Sequence, residues 1–399
     1  MACEAARRSG LAWSETGLLA LLLAANLTAL TAETMMGALY PALAAHYGVT
    51  LDRVVLLTTP RALAQLGVVF LGPLSERLGR APIVVGGLLL VAAGAWGGAL
   101  APDLRAMAAV QVALGLGLAI AIAHIPALVG DRYPYAVRGR VLAVVRLGMP
   151  ASLMVVVPAM LGLALRRGVV GPFLALGAAA TALTLLAAWR LPAAVGCPSR
   201  ADAGPPLPLA TWAGPRVVGM LGLSLVFAAV PTAIFGFLTG WVGGTFADPG
   251  RTVRLAVACD GLGTLVGVVG SALIVDRLTK RRASVLGLGL GGVFAWLLPA
   301  TGGIFALAAM AVVGLAASLE LCFVALSALL SELAPQARGT LLSLWAAALA
   351  AGAALAPPLA GALWRHGGMA AIGRTGGVLL LLLAAILSWM AREPGQPAK

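Results

Sequence analysis

The chain has 399 residues, 61% hydrophobic and only 10% charged, with a mean hydropathy of +1.01 and a formal net charge of +13. A soluble globule carries about 25% charged residues, so this chain lacks the polar surface to face water on all sides. Its basic residues, almost all arginine, sit between apolar runs rather than on one face or tail, which argues against nucleic-acid binding. Cys259 and Cys322 lie in apolar runs, Cys3 and Cys197 in polar segments, so no disulfide framework is implied.

Arg7 and Arg8 before an apolar run imitate a signal peptide, but the run from Leu18 to Ala45 is too long for a cleaved leader and carries Glu33. It reads as a retained first membrane span. Crossing a bilayer takes about 20 helical residues at a rise of about 1.5 Å each. Ala/Leu/Gly-rich runs of that length read as helices, not barrel strands. Twelve spans follow in order, at 16–44, 53–75, 82–101, 105–129, 139–165, 170–190, 215–240, 252–275, 284–301, 304–330, 339–364 and 370–391. One long polar segment, Leu191–Pro215, holds Cys197, Ser199, Asp202 and six prolines, and reads as a linker. The expected organisation is a six-span half at 1–190, the linker at 191–215, and a second half at 216–399 with a short tail.

Lys and Arg set the orientation. With a cytoplasmic N-terminus, the inner segments hold 17 of the 27 basic residues and the outer segments 8, while Arg61 and Arg146 fall inside spans. The bias places both termini inside and attracts anionic lipid headgroups. A repeat appears at an offset of 200: Glu76-Arg77 matches Asp276-Arg277, Arg138-Gly139 matches Arg338-Gly339, and Pro158 matches Pro358. Two parallel, related six-span halves typify one large class of secondary transporters.

Between spans 2 and 3 stands Gly72-x-Leu74-x-Glu76-Arg77-x-Gly79-Arg80. The two glycines permit close approach and a sharp reversal. Glu76, where span 2 leaves the membrane, is suited to pair with a helix N-terminus, whose dipole is positive. The stretch resembles the loop signature of the major facilitator superfamily, G-x-L-x-D-R-x-G-R, with Glu76 in place of Asp. A worn copy, Ala272–Arg277, stands in the second half. The resemblance implies an all-α polytopic membrane protein with twelve transmembrane helices in two pseudo-symmetric halves. It implies a conformational latch in which Glu76 meets the start of span 11 at Arg338 and Arg77 pairs with Asp131. Gly72, Gly79, Arg80, Arg138, Asp276 and Arg277 complete that set. The plainer alternative is that these charges only mark a cytoplasmic turn. Gln111, four residues before Gly115, stands where antiporters of the family often carry Arg. The span 5 pattern G-P-x-x-G-G reads Val157–Gly162 here, echoed at Ala356–Gly361. The scaffold is kept and the antiport hallmarks are worn.

A charge inside a span costs about 2.5–3.5 kcal/mol on insertion scales, so each is a functional candidate. There are six: Glu33, Arg61, His124, Arg146, Asp260 and Glu320. The resemblance makes spans 1, 4, 7 and 10 line a central cavity, with Glu33, His124 and Glu320 in it. Glu320, near the midplane, either handles protons or substrate or packs as a paired acid. Glu33 and Arg61 lie at similar depth on consecutive spans and suit a structural ion pair or a site role. His124 suits an inner gate or a satisfied polar position. Arg146 and Asp260 suit a gate pair. Phe235, Phe237 and Trp241 suit an interfacial belt or stacking on a substrate. Gly287-x-Gly289-x-x-Gly292 has no preceding strand and reads as a helix-packing face rather than a dinucleotide loop. There is no Walker loop, nucleophile elbow or metal-spaced His/Cys set, so neither an enzyme nor a cofactor or metal is expected. The expectation is a monomeric transporter in a bacterial-type plasma membrane, exporting a small, partly apolar compound in exchange for protons. An importer or facilitator on the same scaffold is the alternative, and a non-transporting sensor or intramembrane enzyme the more distant one.

Overall fold

The computed structural model describes residues 15–67, 78–133, 135–191, 214–274, 277–333 and 338–390. Gly72, Glu76, Arg77 and Asp276, and almost all of the 191–215 linker, lie outside the described residues. The described chain is helical, with no strand among the described residues. In order the helices are α1 (Glu15–Tyr47), α2 (Leu51–Val55), α3 (Thr58–Gln65), α4 (Arg80–Leu100), α5 (Leu104–Arg132), α6 (Tyr135–Arg146) and α7 (Gly148–Ala151). After a π turn, Ser152–Val156, come α8 (Val157–Arg167), α9 (Val170–Arg190), α10 (Pro215–Thr245), α11 (Pro249–Ile274) and α12 (Lys280–Leu297). A 3₁₀ turn, Leu298–Thr301, leads to α13 (Phe305–Leu333) and α14 (Arg338–Met390).

Local chemistry explains the boundaries. Asp103 caps α5 by accepting from the Ala106 amide at 2.8 Å, and Thr279 caps α12 by accepting from the Arg282 amide at 3.3 Å. Gly79, the second glycine of the loop signature, has φ 85° where the chain turns into α4, a conformation that penalises any Cβ. The π turn precedes Pro158, which has no N–H to offer the Met154 carbonyl.

Ten helical segments among the described residues are long and apolar enough to cross a membrane. One of them, Thr340–Trp389, is two helices joined at a kink, since Gly367 and Gly368 leave helical geometry and Gly368 has φ 58°. The expected span at 53–75 starts as the short helices α2 and α3 before the description stops at 67. Large apolar side chains point outward along these helices, including Leu100, Leu185 and Leu359. Apolar surface of that extent suits lipid. Trp189 and Trp389, both strongly exposed, close α9 and the last helix at positions 200 apart. They are a further landmark of the repeat, and indoles at helix ends suit the headgroup level.

The described residues group into two units. One comprises those of Met1–Met36 and Pro60–Gly204. In it α4 packs on α5 and α9, and backbones approach closely where side chains vanish: a Cβ on Gly117 would stand 2.7 Å from the Gly87 carbonyl. The other comprises Gly37–Thr59 and Pro205–Lys399. There α10 packs on α14, and α13 packs on α11 and α12. Gly287 of α12 sits against Ser318 and Cys322, and Gly292 against Gly377 and Leu381, while Gly289 meets nothing within 4 Å. The Gly287–Gly292 run is a helix-packing face. In this unit α2 packs against α10 and α14, with the Thr59 hydroxyl donating to the Ala354 carbonyl at 2.9 Å.

Candidate functional site

In the first unit, polar side chains gather on α1. Asn26 donates to the Val145 carbonyl at 2.9 Å, and the Thr31 and Thr34 hydroxyls each lie 2.9 Å from the Ser152 hydroxyl, where the π turn begins. The same helix carries Glu33. Its carboxylate lies 3.9 Å from the Arg61 guanidinium, which also donates to the Glu33 carbonyl at 3.1 Å. Arg61 is 9% exposed at its side chain and Glu33 32%, so the cation is sealed in while the acid keeps some access. Gly115 lies so near the Arg61 carbonyl that a Cβ there would collide with it. Gln111, one turn earlier on α5, is fully buried, and neither its amide oxygen nor its nitrogen has a partner among the described residues. Arg61 Nε is likewise unpartnered.

The arginines at the Gly79 end do local work. Arg80 donates to the Ala127 carbonyl at 2.6 Å, and Arg138 donates to the Gly130 and Tyr133 carbonyls at 2.5 and 3.4 Å. Both therefore place a cation near the C-terminal end of α5, where the dipole favours one, and Arg138 serves carbonyls that have run out of intrahelical donors. Asp131 lies in α5 and Arg338 begins α14. Arg277 is exposed after α11. His124 is buried, with Nδ1–H donating to the Ile120 carbonyl at 3.1 Å, which makes it a satisfied polar residue of α5. Arg146 ends α6 and is exposed.

In the second unit, α11 turns one face to α13. Gly263 meets Val313 and Ala316, and Gly267 meets Ala317 and the Cβ of Glu320. Asp260 lies two turns before Gly267, about 10 Å along the same face. The two acids thus belong to one helix–helix seam at different depths, and both are half-buried. Phe237, considered above for an interfacial belt or substrate stacking, is instead buried and stacked on Trp364, with centroids 4.9 Å apart. Trp241 is half-buried and meets Phe246 edge-on.

Two features had no sequence signal. Asp52 and Arg365 form an ion pair at 2.6 Å across 313 positions of the chain, Asp52 being 13% exposed and Arg365 59%. Asp52 lies between the spans. The Thr50 hydroxyl above all, and with it the Arg365 guanidinium, hold its carboxyl below the ordinary value and together outweigh the opposing effect of burial. The second feature is Trp345, buried with its indole N–H unpartnered among the described residues.

The fold is similar to that in the crystal structure of the nucleoside transporter NupG, with a TM-score of 0.76 over 93% of this chain and 99% of that one, at 12% sequence identity. No curated protein matches the chain by sequence. The family model of the Major Facilitator Superfamily matches residues 21–247. With more than half of its length matched, and with all-helical, multi-pass architecture, the chain belongs to the Major Facilitator Superfamily of membrane transporters.

Proposed function

We propose that the protein exports a small, partly apolar compound in exchange for protons, by alternating access. It works as a monomer in a bacterial-type plasma membrane, with both termini cytoplasmic and two six-helix halves, 1–190 and 216–399, joined by a cytoplasmic linker. The signature around Glu76 and Arg77 acts as the conformational latch. The observation that carries the reading is Glu320. It stands one residue beyond the middle of α13, inside an apolar span, on a seam that also bears Asp260. An acid at that depth is costly to insert and is a candidate proton carrier. Glu33, held by Arg61, is the less suited of the two cavity acids.

Sealed vesicles test the reading. Export that requires an imposed pH gradient supports it; counterflow indifferent to the gradient replaces it with a facilitator. Glu320→Gln keeps the shape of the neutral acid but cannot titrate. It is expected to retain substrate exchange and to lose accumulation against a gradient. Active, pH-driven accumulation by Glu320→Gln removes Glu320 from the coupling step.

The second reading is an importer on the same scaffold. The shared scaffold serves it equally well. Inward accumulation in intact cells, with none in inverted vesicles, selects it.

A further inference from the structure

We infer that Phe323 on α13 and Trp345 on α14 form a recognition site for a planar aromatic ring that carries a hydrogen-bond acceptor. The inference rests on the transporter reading above and names the substrate class of that transporter. The two rings face each other with centroids 5.0 Å apart and planes tilted by 39°. Trp345 is 7% exposed, and its indole Nε1–H has no acceptor among the described residues. An indole N–H is a donor only. Burying it without a partner costs free energy, and buried indoles normally find one. The missing partner is therefore an acceptor beyond the described residues, which a bound molecule would supply.

The surroundings match such a guest in chemistry. On α13 the residues Glu320, Phe323, Val324 and Ser327 are half-buried, while Leu319, Cys322 and Leu326 are buried. Spacings of three, four and seven put the accessible set on one helix face. The Ser327 hydroxyl is already committed to the Val324 carbonyl at 2.8 Å, so it does not compete for the acceptor. On α14 the residues one turn after Trp345 are Ala348 and Leu349, both half-buried. Ala348 carries only a methyl, so a side chain of little bulk stands beside the indole, and Leu349 is apolar. Phe323 lies ten residues, about 15 Å, before the end of α13, and Trp345 seven residues, about 10 Å, after the start of α14. Both rings therefore stand in the same half of the apolar layer, at the expected cytoplasmic side. A flat ring gains stacking from Phe323 and one hydrogen bond from Trp345. A ring of the same shape without an acceptor gains only the first.

Quinoline and naphthalene separate these contributions, being two fused rings of equal size of which only quinoline bears a ring nitrogen. Binding of each to the purified full-length protein is measured by equilibrium dialysis. The wild type is expected to prefer quinoline by about five- to tenfold, the worth of one buried hydrogen bond. Trp345→Phe keeps a ring and is expected to erase that preference while leaving naphthalene binding within about twofold. Phe323→Leu weakens both probes alike. Should Trp345→Phe fail to fold, Ala348→Leu fills the space beside the indole and is expected to abolish binding of both. A wild type without preference, a Trp345→Phe protein that keeps it, or an Ala348→Leu protein that binds normally overturns the site. Transport is scored separately. Protein that binds by these rules but moves no solute keeps the site and loses the transporter reading. Protein that moves solute while all three variants bind as the wild type does the reverse.

Discussion

Two ion pairs in this protein have similar partners and opposite settings. Glu33 and Arg61 meet inside the apolar layer, at 3.9 Å, with the guanidinium sealed and tied also to a backbone carbonyl. Asp52 and Arg365 meet between spans, at 2.6 Å, with the guanidinium largely in the open. The closer pair is expected to be the weaker contributor. An exposed guanidinium is already well solvated and screened by salt, so pairing adds little. A buried one has lost its water, and its remaining partners decide whether the fold tolerates it. Distance alone and solvent access rank the two pairs in opposite orders.

The comparison breaks first at Arg61. Arg61→Met leaves Glu33 without its cation and should destabilise the protein by about 3 kcal/mol. Unfolding in a denaturing-detergent titration reads this. Adding Glu33→Gln should return at least half of the loss, because the orphaned charge goes with it. No recovery in the double variant would show that Arg61 matters for its bond to the Glu33 carbonyl and its packing rather than for its pairing with the carboxylate. At Arg365 the expected effect is smaller: Arg365→Met should cost below about 1 kcal/mol and should lose even that at high salt. A cost of several kcal/mol, unchanged by salt, would put the two pairs in one class.

The smallest effect is one of pH and sharpens the contrast. The Asp52 carboxyl is held below its ordinary value of 3.8. Its contribution is therefore complete above that value and is lost as pH falls through the still lower folded value. The difference between wild type and Arg365→Met should be the same at pH 7.5 and pH 5, and should vanish only in acid, below the ordinary carboxyl value. A difference that fades between pH 7 and 5 would assign the effect to a group other than Asp52.

The broad architecture was legible because it rests on long, simple signals. Apolar runs of the right length gave most of the helices, and the glycine of the loop signature falls at Gly79, where φ is 85°. Glu33 and Arg61 were legible as a pair because consecutive antiparallel spans bring similar depths together. What escaped had no local signature. Nothing near Asp52 points to a residue 313 positions away, and nothing around Trp345 reveals that its N–H lacks an acceptor. Such facts arise only when side chains from remote helices converge. The Trp189 and Trp389 match did have a signal, the offset already visible at Pro158 and Pro358. Arg80 and Arg138 also show that a charge singled out in the sequence can serve the carbonyls of a neighbouring helix, here α5.

The π turn at Ser152–Val156 has a consequence for phase. Bonds from each residue to the fifth along enclose one residue more than an α-helical turn. Each residue of an α-helix advances the side chains by about 100°. The stretch before the turn and the stretch after it are therefore set to different angular zeros. Ser152 faces the two α1 threonines on one setting, while Val157 and Leu161 are buried on the other. Removing any one residue from the turn would restore a uniform helix, and that helix could satisfy only one of the two faces.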